Sequence, residues 1–113
     1  MQHRDIIIIK KIIQEIRVSF DIIGDADLEQ FLASEMMKRA SCMTVINIGE
    51  LIKAMNMEVR EQHKEIPWKN MAGFRDIAAH RYQTLNMEDV YITIKDEFPA
   101  ILENIEKIDL TED

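Results

Sequence analysis

The sequence predicts an all-α protein, an antiparallel up-and-down bundle of four to five helices, on three observations. Its 113 residues include three Gly and two Pro, too few for the turns that a β-sandwich or barrel needs about every 8–12 residues. Ile, Met, Glu and Lys, which suit long helices, are frequent. Apolar residues also recur at the i, i+3, i+7 spacing of a buried helix stripe. We expect one helical domain over residues 1–113.

The first two helices are predicted over residues 5–23 and 28–56. The first carries an isoleucine-rich stripe and is followed by Gly24, a residue suited to the left-handed position after a helix. Asp27 is a candidate N-cap for the second helix. Gly49 lies inside that helix, where glycine costs about 1 kcal/mol relative to alanine. We therefore expect another helix to cross closely at Gly49.

The later helices are predicted from proline and capping residues. Residues 57–66 are polar and predict a short helix or a loop. Pro67 predicts the start of a third helix running to residue 82, because proline is tolerated in the first turn. Asn86 is a candidate N-cap for a fourth segment, which Pro99 interrupts or restarts. A bundle this small could complete its core by dimerising.

Charge and cysteine content restrict the function. The net charge of −7 argues against long-range attraction of nucleic acid to the whole surface. Residues 53–81, however, carry six basic and four acidic side chains, so any phosphate-binding role belongs in that segment. A single cysteine, Cys42, excludes a disulfide framework and a cysteine-based zinc site. Three histidines without paired spacing predict no metal site, and no cofactor is expected.

The expected compartment is the cytoplasm. Eight methionines and one free thiol suit a reducing environment. The apolar run at residues 6–9 is far shorter than the ~20 residues of a membrane span, and it lacks the cleavage site of a signal peptide. No membrane partner is predicted.

Residues 75–82 hold the densest group of reactive side chains. Arg75 and His80 are about 140° apart around an ideal helix, so one regular helix alone would not direct both at one small target. They could converge if the helix ends or loosens near His80, or if two copies meet about a two-fold axis. Asp76 lies four residues before His80 and could hydrogen-bond to it. Arg75 and Tyr82, seven residues apart, would share another helix face.

This set of side chains suits cleavage of a phosphodiester without a metal. A histidine can take a proton from a ribose 2′-OH or protonate the leaving 5′-oxygen near neutral pH. An arginine offers a planar fork to a phosphate and stabilises the charge that builds on it. The spacing alone more often produces a surface ion-pair network, so that alternative stays open at this point.

The residues around this group resemble the signature of HepT-like proteins of the HEPN superfamily. The hallmark Arg-x4-His-x-Tyr is filled by Arg75, His80 and Tyr82, and Asp76 occupies the polar position after the arginine. An Ile-Pro-Trp lead-in at residues 66–68 and an Ala-Gly pair at 72–73 accompany the motif. Residues 42–55 resemble the family's second long helix, and the similarity covers about residues 5–108.

The resemblance implies a HEPN-like helical bundle that pairs as a two-fold homodimer, with both motif copies lining a cleft. It implies a metal-independent endoribonuclease that acts as the toxin of a prokaryotic, type VII-like toxin–antitoxin pair. Arg75 would hold the phosphate, His80 would act in acid–base catalysis, and Asp76 would support them. Tyr82 matches the tyrosine that a minimal nucleotidyltransferase antitoxin modifies with AMP. Arg81 occupies a position where the family varies and could assist RNA binding.

Two other functions remain open from the sequence. One is a non-catalytic HEPN binding module, in which the same residues dock the nucleotidyltransferase or its substrate. The other is a plain structural bundle in which the motif forms a salt-bridge network. RNA is the expected nucleic acid, and no DNA partner is predicted.

Overall fold

The computed structural model describes residues 1–113 and contains only helices and connecting turns. The helices are α1 (His3–Ile23), α2 (Leu28–Ala33), α3 (Glu35–Ala54), α4 (Met57–Gln62), α5 (Trp68–His80), α6 (Met87–Ile92) and α7 (Phe98–Glu106). A 3₁₀ turn (Tyr82–Thr84) precedes α6, and a π-helical segment (Thr93–Glu97) joins α6 to α7. The all-α prediction is confirmed. None of the helices is both long and apolar enough to span a membrane.

Helix α3 lies at the centre of the bundle, between α1 and α5. Its neighbours run antiparallel to it. The amide nitrogen of Asn56, just beyond α3, donates to Asp5 Oδ1 near the start of α1 at 3.1 Å. The core between the helices is built mainly from isoleucine. Its fully buried large side chains include Phe31, Ile9, Ile12, Ile16, Ile23, Ile48, Ile52, Ile94 and Ile105.

The predicted helix over residues 28–56 is wrong in one respect, because Ser34 divides it into α2 and α3. Ser34 has an extended backbone (φ −106°, ψ 107°), and its side chain accepts a hydrogen bond from the Met37 amide at 3.1 Å. That bond caps α3. The apolar spacing continues across the break and therefore conceals it. Asp27 caps α2 as predicted, with its side chain and that of Gln30 forming a reciprocal capping box.

The last predicted segment forms one continuous helical rod, α6, the π segment and α7. The Phe98 amide bonds to the Thr93 carbonyl, five residues back, as in a π-helix. Pro99 follows in the first turn of α7. A proline in a regular helix lacks an amide hydrogen and clashes with the carbonyl four residues earlier. The wider π turn before Pro99 lets the rod continue, and Asn86 caps its start as predicted.

Candidate functional site

The site is built where α3 and α5 cross, at Gly49 and Arg75. A Cβ atom placed on Gly49 would overlap the Cβ and Cγ atoms of Arg75. Only glycine therefore allows the two helices to approach this closely. The predicted close crossing at Gly49 is confirmed, and the residue that it contacts is the motif arginine.

The guanidinium of Arg75 is held by carboxylates on both sides. Its Nη1 donates to Asp76 Oδ1 at 3.0 Å, and its Nη2 forms an ion pair with Glu50 of α3. The side chain is only 19% exposed, and its Nε is buried without a hydrogen-bond partner. The crossing therefore fixes the position of the arginine through packing and charge together.

His80 is the last residue of α5, and its exposed ring lies beside Arg75. The distance from Arg75 Nη1 to His80 Nε2 is 3.5 Å. Arg81 then leaves helical geometry (φ −133°, ψ 34°), while its amide still bonds to the Ile77 carbonyl at 2.9 Å. The sequence left two arrangements open, a helix that ends near His80 or two copies that meet about a two-fold axis. The first of these arrangements is confirmed, because α5 ends at His80 and the side chains of Arg75 and His80 meet within a single chain.

Asp76 does not bind His80, contrary to expectation. Its carboxylate forms an ion pair with Lys53 of α3 and accepts the hydrogen bond from Arg75. The hydrogen bond from Lys53, and next that from Arg75, hold the pKa of Asp76 below its ordinary value. Asp76 therefore stays ionised and orients the arginine instead of the histidine.

Tyr82 lies outside α5, in the 3₁₀ turn, so the prediction of one helix to residue 82 is wrong. Tyr82 therefore does not share a helix face with Arg75. Its half-buried ring packs on α3, where the guanidinium carbon of Arg39 is 5.6 Å from the ring centroid. That distance is within the range of a cation–π contact. Arg81 is exposed and lines a groove with Lys69 and Gly73.

Sequence reasoning assigned no role to Glu50, Lys53 or Arg39, which all lie on α3 and contact motif residues. Their spacing along α3 does not by itself predict that they contact the motif residues. Only the close crossing at Gly49, the residue before Glu50, indicates that this part of α3 faces α5.

The remaining reactive groups do not gather into a second site. No group of three or more His, Cys, Asp and Glu side chains is arranged to hold a metal ion. Cys42 is buried in α3, and burial raises the pKa of its thiol to about 11. Its Sγ lies 3.8 Å from Met87 Sδ, so it packs as a small apolar side chain.

Comparison with known proteins gives a consistent result. A family model described as ribonuclease HepT-like matches residues 9–108. A "Putative RNase" of Caldanaerobacter subterraneus subsp. tengcongensis is 30% identical over 100 residues, 88% of this chain and 89% of that protein. A "Putative RNase" of Methanocaldococcus jannaschii is 37% identical over 84 residues, 74% of this chain and 72% of that protein. A "Probable ribonuclease HepT" of Thermococcus cleftensis is 30% identical over 80 residues, 71% and 73% of the two chains. No solved structure matches.

Proposed function

The chain belongs to the HepT-like ribonuclease family, and on that premise we propose that it is a metal-independent endoribonuclease, the toxin of a type VII-like toxin–antitoxin pair. The observation that carries the proposal is the 3.5 Å approach of Arg75 Nη1 to His80 Nε2. A phosphodiester beside this pair meets a fixed cation and a proton-transfer group at once.

The proposed reaction is transesterification by the ribose 2′-OH. His80 takes the proton from the 2′-oxygen as that oxygen attacks phosphorus. Arg75 donates hydrogen bonds to the non-bridging oxygens, where negative charge builds. The bond from phosphorus to the 5′-oxygen breaks, and that oxygen takes a proton. The products are a 2′,3′-cyclic phosphate and a 5′-hydroxyl end. To reach Nη2 of Arg75, the phosphate replaces Glu50, whose half-exposed carboxylate can swing into solvent.

The proposal includes a two-fold homodimer in which two motif copies line one cleft. His80 of the second copy then supplies the proton to the leaving 5′-oxygen, because one imidazole cannot act as base and acid on the same bond at once. A dimer with one wild-type and one His80→Ala protomer tests this arrangement. Cleavage near that of the doubly substituted dimer is expected. Retention of half the wild-type rate would show that the two sites act independently.

The decisive experiment incubates the purified protein with single-stranded RNA in the presence of EDTA. Cleavage leaving a 2′,3′-cyclic phosphate is expected, with loss of activity in Arg75→Ala and His80→Ala. The matched control is His3→Ala, because His3 is an exposed histidine near the N-terminus. Cleavage that disappears with EDTA contradicts the metal-free reaction. A protein that binds RNA or a nucleotidyltransferase but never cuts favours the non-catalytic binding module.

The proposed silencing step is transfer of AMP to Tyr82 by a cognate minimal nucleotidyltransferase. The added group brings bulk and a negatively charged phosphate two residues from His80, where it competes with RNA for nearby cations. Tyr82→Phe keeps the ring that packs against Arg39 and removes the acceptor oxygen. This variant should cut RNA normally and resist inactivation by the nucleotidyltransferase and ATP. Inactivation equal to that of the wild type would exclude Tyr82 as the modified residue.

A further inference from the structure

The exposed side of α5 carries a groove that the reaction described above does not use. Two depressions adjoin along the helix and share Lys69 and Asn70 as lining residues. The first, about 550 Å³, includes Lys64 near the start of α5. The second, about 680 Å³, includes Gly73, Ile77 and Arg81 near its end. We call these two depressions together the α5 groove.

The cations of the α5 groove lack carboxylate partners. Lys64, Lys69 and Arg81 are exposed, and none has a carboxylate oxygen within 4.0 Å. Glu61 and Asp89 also line the groove, but neither forms an ion pair with these cations. Six basic side chains elsewhere, Lys53 among them, form ion pairs with carboxylates. The unpaired cations outside the groove, Arg4, Lys10, Lys11 and Lys95, line neither depression. In a chain of net charge −7, the groove is therefore a local site for an anionic ligand.

The floor of the α5 groove is open and partly apolar. A Cβ atom on Gly73 would have no neighbour within 4 Å, so a ligand can approach the helix backbone there. Ile77 is 48% exposed beside it. Alternating phosphates and flat bases match a surface that offers separated cations and an apolar patch.

Arg81, which lines the α5 groove, follows His80 directly in the chain, so the groove ends one residue from the candidate active site. Helix α5 has 13 residues and is therefore about 20 Å long. A duplex-binding domain spans about 16 base pairs across two minor grooves, more than this length provides. We propose that the α5 groove binds the backbone of single-stranded RNA and guides it towards His80. This inference rests on the proposed ribonuclease function.

Binding to a 2′-O-methyl RNA oligonucleotide tests the inference without cleavage, because the probe lacks the attacking 2′-hydroxyl. The dissociation constant is measured by fluorescence anisotropy over a range of salt concentrations. Each phosphate contact on a single strand contributes about 0.7 to the slope of log K against log salt. Lys64→Gln, Lys69→Gln and Arg81→Gln should each reduce the magnitude of the slope by about 0.7.

Lys10→Gln is the matched control, because Lys10 on α1 is exposed, also lacks a carboxylate partner and lines neither depression. Its slope should equal that of the wild type. Equal slopes for Lys69→Gln and Lys10→Gln would overturn the inference. So would absence of binding, or equal affinity for a duplex of the same length.

The outcomes of this test are separable from those of the cleavage test. Groove-dependent binding by a protein that never cuts unmodified RNA supports the groove and contradicts the ribonuclease proposal. The protein could also cleave unmodified RNA while its salt slope stays the same in all three variants. That result supports the ribonuclease proposal and overturns the inference that the α5 groove binds RNA.

Discussion

The two sides of α5 differ in how much space and free charge they have. On the side that faces α3, Gly49 is so close to Arg75 that a methyl group would overlap it. On the other side, Gly73 has no neighbour for a Cβ atom within 4 Å. The cations follow the same division. Arg75 and Lys53 are paired with carboxylates, whereas Lys69 on the open side is not.

This difference indicates how one helix can serve two purposes. The packed side fixes a guanidinium at a defined place, as a group that stabilises a transition state requires. The open side leaves cations in solvent, where they can exchange counterions for the phosphates of a long ligand. His80 lies at the end of α5, between Arg81 of the α5 groove in sequence and the fixed arginine in space.

The largest effect is expected from Gly49→Ala. The new methyl group meets Arg75 close to its backbone, so the helices must separate or the arginine must move. Overpacking of this kind costs about 1–3 kcal/mol, against a gain of ~1 kcal/mol in helix propensity. We expect a net loss of up to about 2 kcal/mol in the free energy of unfolding, measured by urea denaturation, and loss of RNA cleavage.

Gly49→Ser provides the matched check, because its Cβ atom meets the same obstacle. Both variants should lose cleavage in proportion to the displacement of Arg75. A Gly49→Ala protein as stable and active as the wild type would show that α3 and α5 do not cross as closely as described.

The next largest effect is expected from Glu50→Gln. This variant removes a negative charge from Arg75 Nη2 while keeping the size of the side chain. The Glu50 carboxylate is half exposed, and an ion pair open to solvent on one side is worth up to ~1 kcal/mol. RNA should therefore bind about fivefold more tightly to the variant. The dissociation constant for 2′-O-methyl RNA measures this. Glu103→Gln changes the net charge equally on α7 and should leave affinity unchanged. Weaker binding by Glu50→Gln would mean that Glu50 does not compete with phosphate.

The sequence predicted the fold and one close helix crossing, but it did not predict the contacts that build the site. The composition and apolar spacing predicted the all-α fold, and an interior glycine predicted the close crossing at Gly49. The partners of the motif residues could not be predicted from the sequence, because Glu50 and Lys53 contact α5 only where the two helices cross. The helix was predicted to reach residue 82, and an end near His80 was offered only as one of two alternatives. No glycine or proline stands at residues 81 or 82, so no local signal distinguished a helix end there from one two residues later.

A smaller effect of opposite sign is expected from Gly73→Ala. The residue lies within α5 with free space around it, so alanine gains helix propensity without a clash. We expect stabilisation by about 0.5–1 kcal/mol, measured in the same urea experiment as Gly49→Ala. Replacing glycine by alanine thus has opposite consequences where α3 packs against α5 and on the open side of α5. Destabilisation by Gly73→Ala would contradict the open groove and indicate that this side is packed.

The smallest effect concerns the pH dependence of the contact between Asp76 and Lys53. Hydrogen bonds from Lys53 and Arg75 hold the pKa of Asp76 below its ordinary 3.8. The stabilisation by ionised Asp76 is therefore complete above pH 3.8, and it is lost as the pH falls through the lower pKa of the folded protein. A double-mutant cycle with Asp76→Asn and Lys53→Met should show favourable coupling at pH 7 that declines below pH 3.8. The measurement is urea unfolding at each pH. Coupling that stays constant down to pH 2.5 would show that Asp76 and Lys53 interact without the charge on Asp76, and the order of the packed side of α5 would then not depend on this ion pair.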